Sequence, residues 1–373
     1  MQGHHPAHRP RIEWMDLVKG TTVLIVVLFH CIVHLHAATP DGDVSSAWHS
    51  AMLVLEPMRM PLFFLVSGML AAGAINRPWR LSRRRTFGMA YLYVLWSAIF
   101  FASAAAIFAT PWREALLKFP SELLLGSSGY WYLYALLLYF IVAKAVRRWP
   151  VWVVLALAVA PNLLRPMVAQ WNRDFLIDID AGSMATSIVT NLVFFLLGAY
   201  CKELLTRIAD RASWRWVAGI LVVVVAFGVW RSTQPDLWEQ TFLPISLAWI
   251  VAGVMAASLL VQHSGPRRFG TYFGARTLPI FVVQFPLLLV MSTVLRRGDF
   301  AFLELAWVQL IAPLVLGSLL VMIALVVHRL TLGNAGRFLF EAPHWVVGER
   351  PAPPAPLDAP HLPVGAGTSA AER

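Results

Sequence analysis

Two apolar stretches near the start of the chain carry ionisable side chains that lipid would reject. Asp16, Lys19, His30, His34 and His36 fall in or beside the first, and Glu56, Arg59 and Ser67 fall in the second. A charge at mid-bilayer costs roughly 2.5–3.5 kcal/mol on insertion scales, so such residues are functional candidates from the outset. An imidazole with its unperturbed value near 6.5 is suited to general base work at neutral pH. An arginine beside it can hold a substrate or steady a developing oxyanion. A carboxylate, Glu56 or Asp16, can orient the imidazole ring. These are parts for general acid–base work.

Spacing groups them. Lys19 and His30 are eleven residues apart, as are Glu56 and Ser67. Eleven residues make about three helical turns and a rise of about 16 Å, so each pair shares a face. If the two helices run in opposite directions and touch, His30, Arg59 and a carboxylate can meet within the membrane. Simpler readings stand beside this one. Lys19 can snorkel to the interface. Glu56 and Arg59 can be a structural i, i+3 pair. His30 and His34 have the i, i+4 spacing of two metal ligands, but no third ligand is evident nearby and no metal is expected. The run Arg83, Arg84, Arg85 is either a topology signal or a cytoplasmic site for a phosphorylated cofactor, since the guanidinium fork matches phosphate geometry.

The elements that must position these residues follow from composition. The chain has 373 residues, 58% hydrophobic and 13% charged, against about 25% charged in a soluble domain. A span needs about 20 mostly apolar residues, and only helices and closed barrels satisfy the backbone in lipid. The apolar runs are long and do not alternate, which predicts an all-α, polytopic transmembrane bundle of about ten helices, at 18–38, 51–74, 87–109, 130–147, 151–165, 184–204, 214–231, 242–262, 275–295 and 303–327. The fifth is short enough to be tilted, re-entrant or longer than drawn. The first ends in His34, Leu35 and His36 rather than a small-residue cleavage site, so it reads as a retained helix in preference to a signal peptide.

The net charge of +10 is carried largely in short loops, where it reads as topology and not as nucleic-acid binding. The basic set is Arg9, Arg11 and Lys19; Arg77, Arg80 and Arg83 to Arg85; Lys144, Arg147 and Arg148; Lys202, Arg207, Arg211 and Arg215; Arg267, Arg268 and Arg276; then Arg329 and Arg337. Intervening loops are richer in acid: Asp41 and Asp43, Glu114 and Glu122, Asp174, Asp178 and Asp180, Asp236 and Glu239. Both termini are therefore expected in the cytoplasm. The expected organisation is a flexible N-terminus over 1–12, a transmembrane domain over 13–340 and a disordered, Pro- and Ala-rich tail over 341–373. Cys31 and Cys201 give neither a disulfide framework nor a zinc spacing.

Four blocks then carry a resemblance. They are Arg11 to Gly20 with Asp16 and Lys19, followed by His30; Arg59-Met60-Pro61-Leu62-Phe63-Phe64-Leu65-Val66-Ser67-Gly68; Trp131-Tyr132-Leu133-Tyr134-Ala135-Leu136; and Phe273-Gly274-Ala275-Arg276-Thr277-Leu278-Pro279-Ile280. In this order they resemble the family-three membrane acyltransferases, which include O-acetylases of bacterial surface glycans. The chain departs from the pattern at Lys19, where many members have Arg, and at Gln284, where many have His. The resemblance implies a multi-pass protein of the bacterial inner membrane. It implies acyl-CoA, most often acetyl-CoA, as donor and a hydroxyl of a glycan, glycolipid or small molecule as acceptor. It casts His30, Glu56, Arg59 and Asp16 as catalytic, and Lys19, Ser67, Arg83, Arg84 and Arg85 as donor-binding. Direct transfer and a covalent acyl-His30 intermediate are both compatible with it. A transporter accounts equally well for ten helices and buried charge, but not for the four blocks.

Overall fold

The computed structural model describes residues 12–38, 46–126, 128–176, 182–234, 239–298, 300–333 and 335–348. Most of the expected N-terminal segment, the bulk of the expected tail, and Asp41, Asp43, Asp178, Asp180 and Asp236 lie outside the described residues. The described residues contain no strand. The helices are α1 Glu13–Ala38, α2 Ser46–Ile75, α3 Trp79–Phe108, α4 Trp112–Leu125, α5 Trp131–Ala145, α6 Val151–Leu163, α7 Arg165–Leu176, α8 Gly182–Tyr200, α9 Lys202–Asp210, α10 Trp214–Ser232, α11 Phe242–Leu260, α12 Ser264–Gly274, α13 Thr277–Arg297, α14 Ala306–Thr331 and α15 His344–Val347.

Each of the ten expected spans falls on a helix, although not every one is a straight crossing. Among the described residues seven helices are long and apolar enough to cross a bilayer: α1, α2, α3, α10, α11, α13 and α14. Two bent pairs are apolar enough only when each is taken together, as a broken span or a re-entrant loop: α6 turns 66° into α7 and α8 turns 76° into α9. Helix α5 has 15 residues, which at 1.5 Å per residue reach only about 22 Å of a hydrocarbon core about 30 Å thick. It survives as a short helix because it is interior: Tyr132, Leu133, Ala135, Tyr139, Phe140 and Ala143 are all buried. Helices α4, α9, α12 and α15 were not expected. They are short and mostly polar-faced, so no apolar run announces them.

Glycines set the closest crossings. A Cβ on Gly68 would lie 2.0 Å from Phe195 O, and one on Gly198 would lie 1.9 Å from Leu65 O. The backbones of α2 and α8 therefore touch through two reciprocal small residues, the packing that lets membrane helices associate without a hydrophobic driving force. Helix α12 lies against the start of α1 in the same manner, and a Cβ on Gly274 would meet Asp16 O at 2.3 Å. Glycines of two of the four motif blocks are thus accounted for by helix contact.

The core lies between α1, α2, α5, α8 and α13, where Val23, Phe64, Leu65, Phe194 and Ile280 are buried. Helices α10 and α14 turn large apolar side chains outward, among them Val222, Val223, Leu314 and Val315, as lipid-facing helices must. His34 near the end of α1 lies within electrostatic reach of Arg296 in the last turn of α13. Arg296 and Arg297 thus sit at the face that the loop charges assign to acid, so that face also carries base. Residues 341–348, placed in the expected tail, are among the described residues. Arg337 Nη2 pairs with Glu341 Oε2 at 2.7 Å, Trp96 Nε1 donates to Leu339 O at 2.7 Å, and α15 packs on α3.

Candidate functional site

His30 lies in the outer half of α1 and is half-buried. Its ring meets Phe29 edge-on at 5.3 Å and Phe285 of α13 at 5.1 Å. Arg59 comes from α2, with its guanidinium carbon 3.6 Å from the centre of the same Phe29 ring, and its charge acts on His30. The structure therefore brings His30 and Arg59 to one aromatic side chain from two helices, as the spacing predicts. Gln284, next to Phe285, is 1% exposed, and neither of its amide atoms has a hydrogen-bond partner. A buried amide with both ends open is a rare state that calls for a water or a ligand.

The carboxylates sit elsewhere. Asp16 pairs with Lys19 at 2.9 Å. It is fourteen residues before His30 on the same helix, about 21 Å away along the axis, so it cannot orient that ring. Glu56 faces Arg165, with Oε1 3.9 Å from Arg165 Nη2. Among the described residues no carboxylate makes an ion pair with His30; its ring is held by aromatic edges. No three His, Cys, Asp or Glu side chains gather as a metal site among the described residues.

The three consecutive arginines do not converge. Successive helical residues point about 100° apart. Arg83 is exposed over Phe87 at 5.5 Å. Arg84 lines a cavity of about 740 Å³ with Arg337, Glu341 and His344 of the C-terminal segment. Arg85 alone turns to the core: its Nη1 donates to Leu70 O at 3.2 Å, and its guanidinium lies 5.3 Å from the Phe140 ring. Its Nε is buried without a partner, and its charge reaches Tyr132. Tyr132 in turn lies 2.7 Å from Ser67 Oγ. Ser67 spends its one proton on Phe63 O at 2.8 Å, so Tyr132 is the donor to Ser67.

A second charged group is built around Glu56. Arg165, at the break between α6 and α7, donates from Nε to Glu239 Oε2 and stacks on Phe242 at 3.6 Å. Arg231, in the last turn of α10, is 1% exposed, and its charge acts on Glu56, Glu239 and Arg165. Reading the sequence did not single out Arg165 or Arg231, and gave Glu239 only as a loop acid. The two arginines close expected spans, where a base usually marks an interface, and only the fold shows that both point inward.

A family model described as "Acyltransferase domain" matches residues 12–327. The chain is 25% identical over 309 residues, covering 73% of this chain and 78% of the relative, to "Inner membrane protein YcfT" of Escherichia coli (strain K12). It is 22% identical over 369 residues, covering 88% of this chain and 90% of the relative, to "Nodulation protein NolL" of Mesorhizobium japonicum. No solved structure matches the chain. With its membrane-spanning helices, the four blocks in order and a family match over nearly the whole bundle, the chain belongs to acyltransferase family 3 and is a multi-pass membrane protein.

Proposed function

We propose that the chain moves an acyl group, acetyl in the first instance, from acyl-CoA to a hydroxyl of a glycan or glycolipid at the bacterial inner membrane. The observation that carries this reading is the meeting of His30 and Arg59 at Phe29, inside a bundle of an acyltransferase family. Membership of the family supports an acyl donor. The name of the Escherichia coli relative supports the inner membrane.

Both termini lie in the cytoplasm on this reading, and acyl-CoA approaches from that face. Lys19, Ser67 and Arg83 to Arg85 serve the donor side; Arg85 is the one of the three arginines that faces the core. Neutral His30 takes the proton of the acceptor hydroxyl as its oxygen attacks the thioester carbonyl. Arg59 steadies the oxyanion, the carbon–sulfur bond breaks, and the CoA thiolate recovers the proton from His30. The buried amide of Gln284, open at both ends, is a further donor on α13.

The test uses purified protein in nanodiscs with radiolabelled acetyl-CoA and envelope glycan. Label is expected to move to the glycan. His30→Ala should insert and melt like the parent yet transfer at least about a hundredfold more slowly. Transfer at the parental rate would remove His30 from the chemistry. Solute uptake into vesicles with no acyl transfer would replace the enzyme by a transporter.

A further inference from the structure

Helix α14 leaves a hollow where it faces α1 and α12. A cavity of about 660 Å³ runs between the three helices. Its wall on α14 extends from Pro313 to Arg329, and its wall on α1 from Thr21 to Leu28. At 1.5 Å per residue these walls are about 24 Å and about 10 Å long. One leaflet contributes about 15 Å of hydrocarbon, so the groove is deep enough for a lipid chain lying along the helices. Gly317 keeps it open. A Cβ there would reach Cys31 Sγ and Val27 Cγ1 only at 3.9 Å, an ordinary contact, so this glycine is not demanded by touching backbones as Gly68 and Gly198 are.

The lining is mostly aliphatic and aromatic and includes no carboxylate; Arg329 is the one charged side chain among the lining residues. Arg329 is exposed and makes no ion pair among the described residues. More base gathers at that end. Helix α12 carries Arg267 and Arg268, both exposed, and no acid. Arg276 lies two residues past α12, with its guanidinium carbon 4.1 Å from the centre of the Tyr272 ring and its Nη1 donating to Tyr272 O at 2.9 Å. Tyr272 and Phe269 themselves stand in the groove wall. Loop charge reads these arginines as topology alone, whereas the groove gives them something to hold. Basic and aromatic side chains at one end of an apolar channel match a lipid with a negatively charged head. A free phosphate would satisfy the arginines and leave the apolar wall wet. An uncharged lipid would cover the wall and leave the arginines without a counter-charge.

We propose that the α1–α12–α14 groove binds one anionic phospholipid, with a chain along α1 and α14 and the phosphate at Arg329. Arg276 and the two α12 arginines add to the field that the head meets. The far end of the groove is at Leu28, two residues before His30, so the bound chain packs on the stretch of α1 that leads to the imidazole. This goes beyond the transferase reading and stands without it.

The test is lipid binding to delipidated full-length protein in detergent, read by native mass spectrometry. Three probes are compared: phosphatidylglycerol, phosphatidylcholine with the same chains, and glycerol phosphate, the anionic head alone. One phosphatidylglycerol per protein is expected to bind roughly tenfold more tightly than phosphatidylcholine, with a preference that falls as salt rises. Glycerol phosphate should not bind measurably. Arg329→Gln, at an exposed position, should weaken phosphatidylglycerol roughly fivefold and leave phosphatidylcholine unchanged. Ser318→Phe, at an exposed position in the groove wall, blocks the channel with every arginine in place and should weaken both lipids roughly tenfold. Equal binding of the two lipids, a preference untouched by Arg329→Gln, lipid binding untouched by Ser318→Phe, or capture of glycerol phosphate as tightly as phosphatidylglycerol overturns the proposal.

Discussion

At the C-terminal end of α2 and at its middle a buried cation meets the chain in opposite ways. At the C-terminal end Lys144, 2% exposed, shares its protons among Ala74 O at 3.2 Å, Ile75 O at 3.3 Å, Ser82 Oγ at 2.9 Å and Arg77 O. These include carbonyls that the end of a helix leaves without an internal partner. Arg147 reinforces the clasp, donating to Arg77 O at 3.1 Å. Midway along the same helix Arg59, and with it Arg165 of α7, keep buried donors that no described residue fills. One region is closed and holds the α2–α3 turn to α5. The other keeps unspent hydrogen-bonding capacity. Burial of charge alone does not mark a site; burial with unspent hydrogen-bonding capacity does.

Three measurements break or sharpen that contrast. The largest effect is expected from Lys144→Met. It removes four hydrogen bonds of one buried ammonium, while Ser82 and Arg147 still reach the carbonyls, and should cost about 3 kcal/mol of stability, read as a lower melting temperature in detergent. The protein that remains folded should keep its transfer rate per molecule. A variant that melts normally but has lost transfer would move Lys144 from the clasp to the chemistry.

Next comes Ser67→Ala, which removes one bond to Phe63 O and the acceptor of Tyr132. It should cost about 1 kcal/mol. If the Ser67–Tyr132 pair is closed like the Lys144 clasp, KM for acyl-CoA stays unchanged. A raised KM would show that the hydroxyl turns from Tyr132 to the donor, and the inner half would then hold an open site of its own.

The smallest effect is expected outside the bilayer. Lys118 bonds Glu114 at 2.8 Å on the surface of α4, and this bond, with the charge of Glu114, holds the ammonium above its ordinary value. A raised cation stabilises the fold below its ordinary value of 10.5 and loses that support as pH rises through the raised value. Solvent screens an exposed pair, so Glu114→Gln should leave the melting temperature at pH 7 unchanged within scatter. A clear drop would mean that a pair needs no burial here to matter.

The sequence by itself determined the bundle. Most of the ten apolar runs are too long for a soluble core and read as helices in lipid, and the polar residues inside the first two runs stand out because lipid penalises them. It also set His30 and Arg59 at matching depths, so that they meet if the two helices touch; that they touch is a finding of the fold. Tertiary structure decided which carboxylate serves which cation. Asp16 pairs with Lys19 within α1, and Glu56 turns to Arg165, which stands at the break between α6 and α7. It separated Arg83, Arg84 and Arg85, which adjacency suggests as one patch and helical geometry points three ways. It also drew Arg165 and Arg231 inward from span ends where a base ordinarily faces water. Periodicity along one helix reports which residues share its face, whereas the partner that face meets depends on crossings set by small residues such as Gly68, Gly198 and Gly274, far away in the chain.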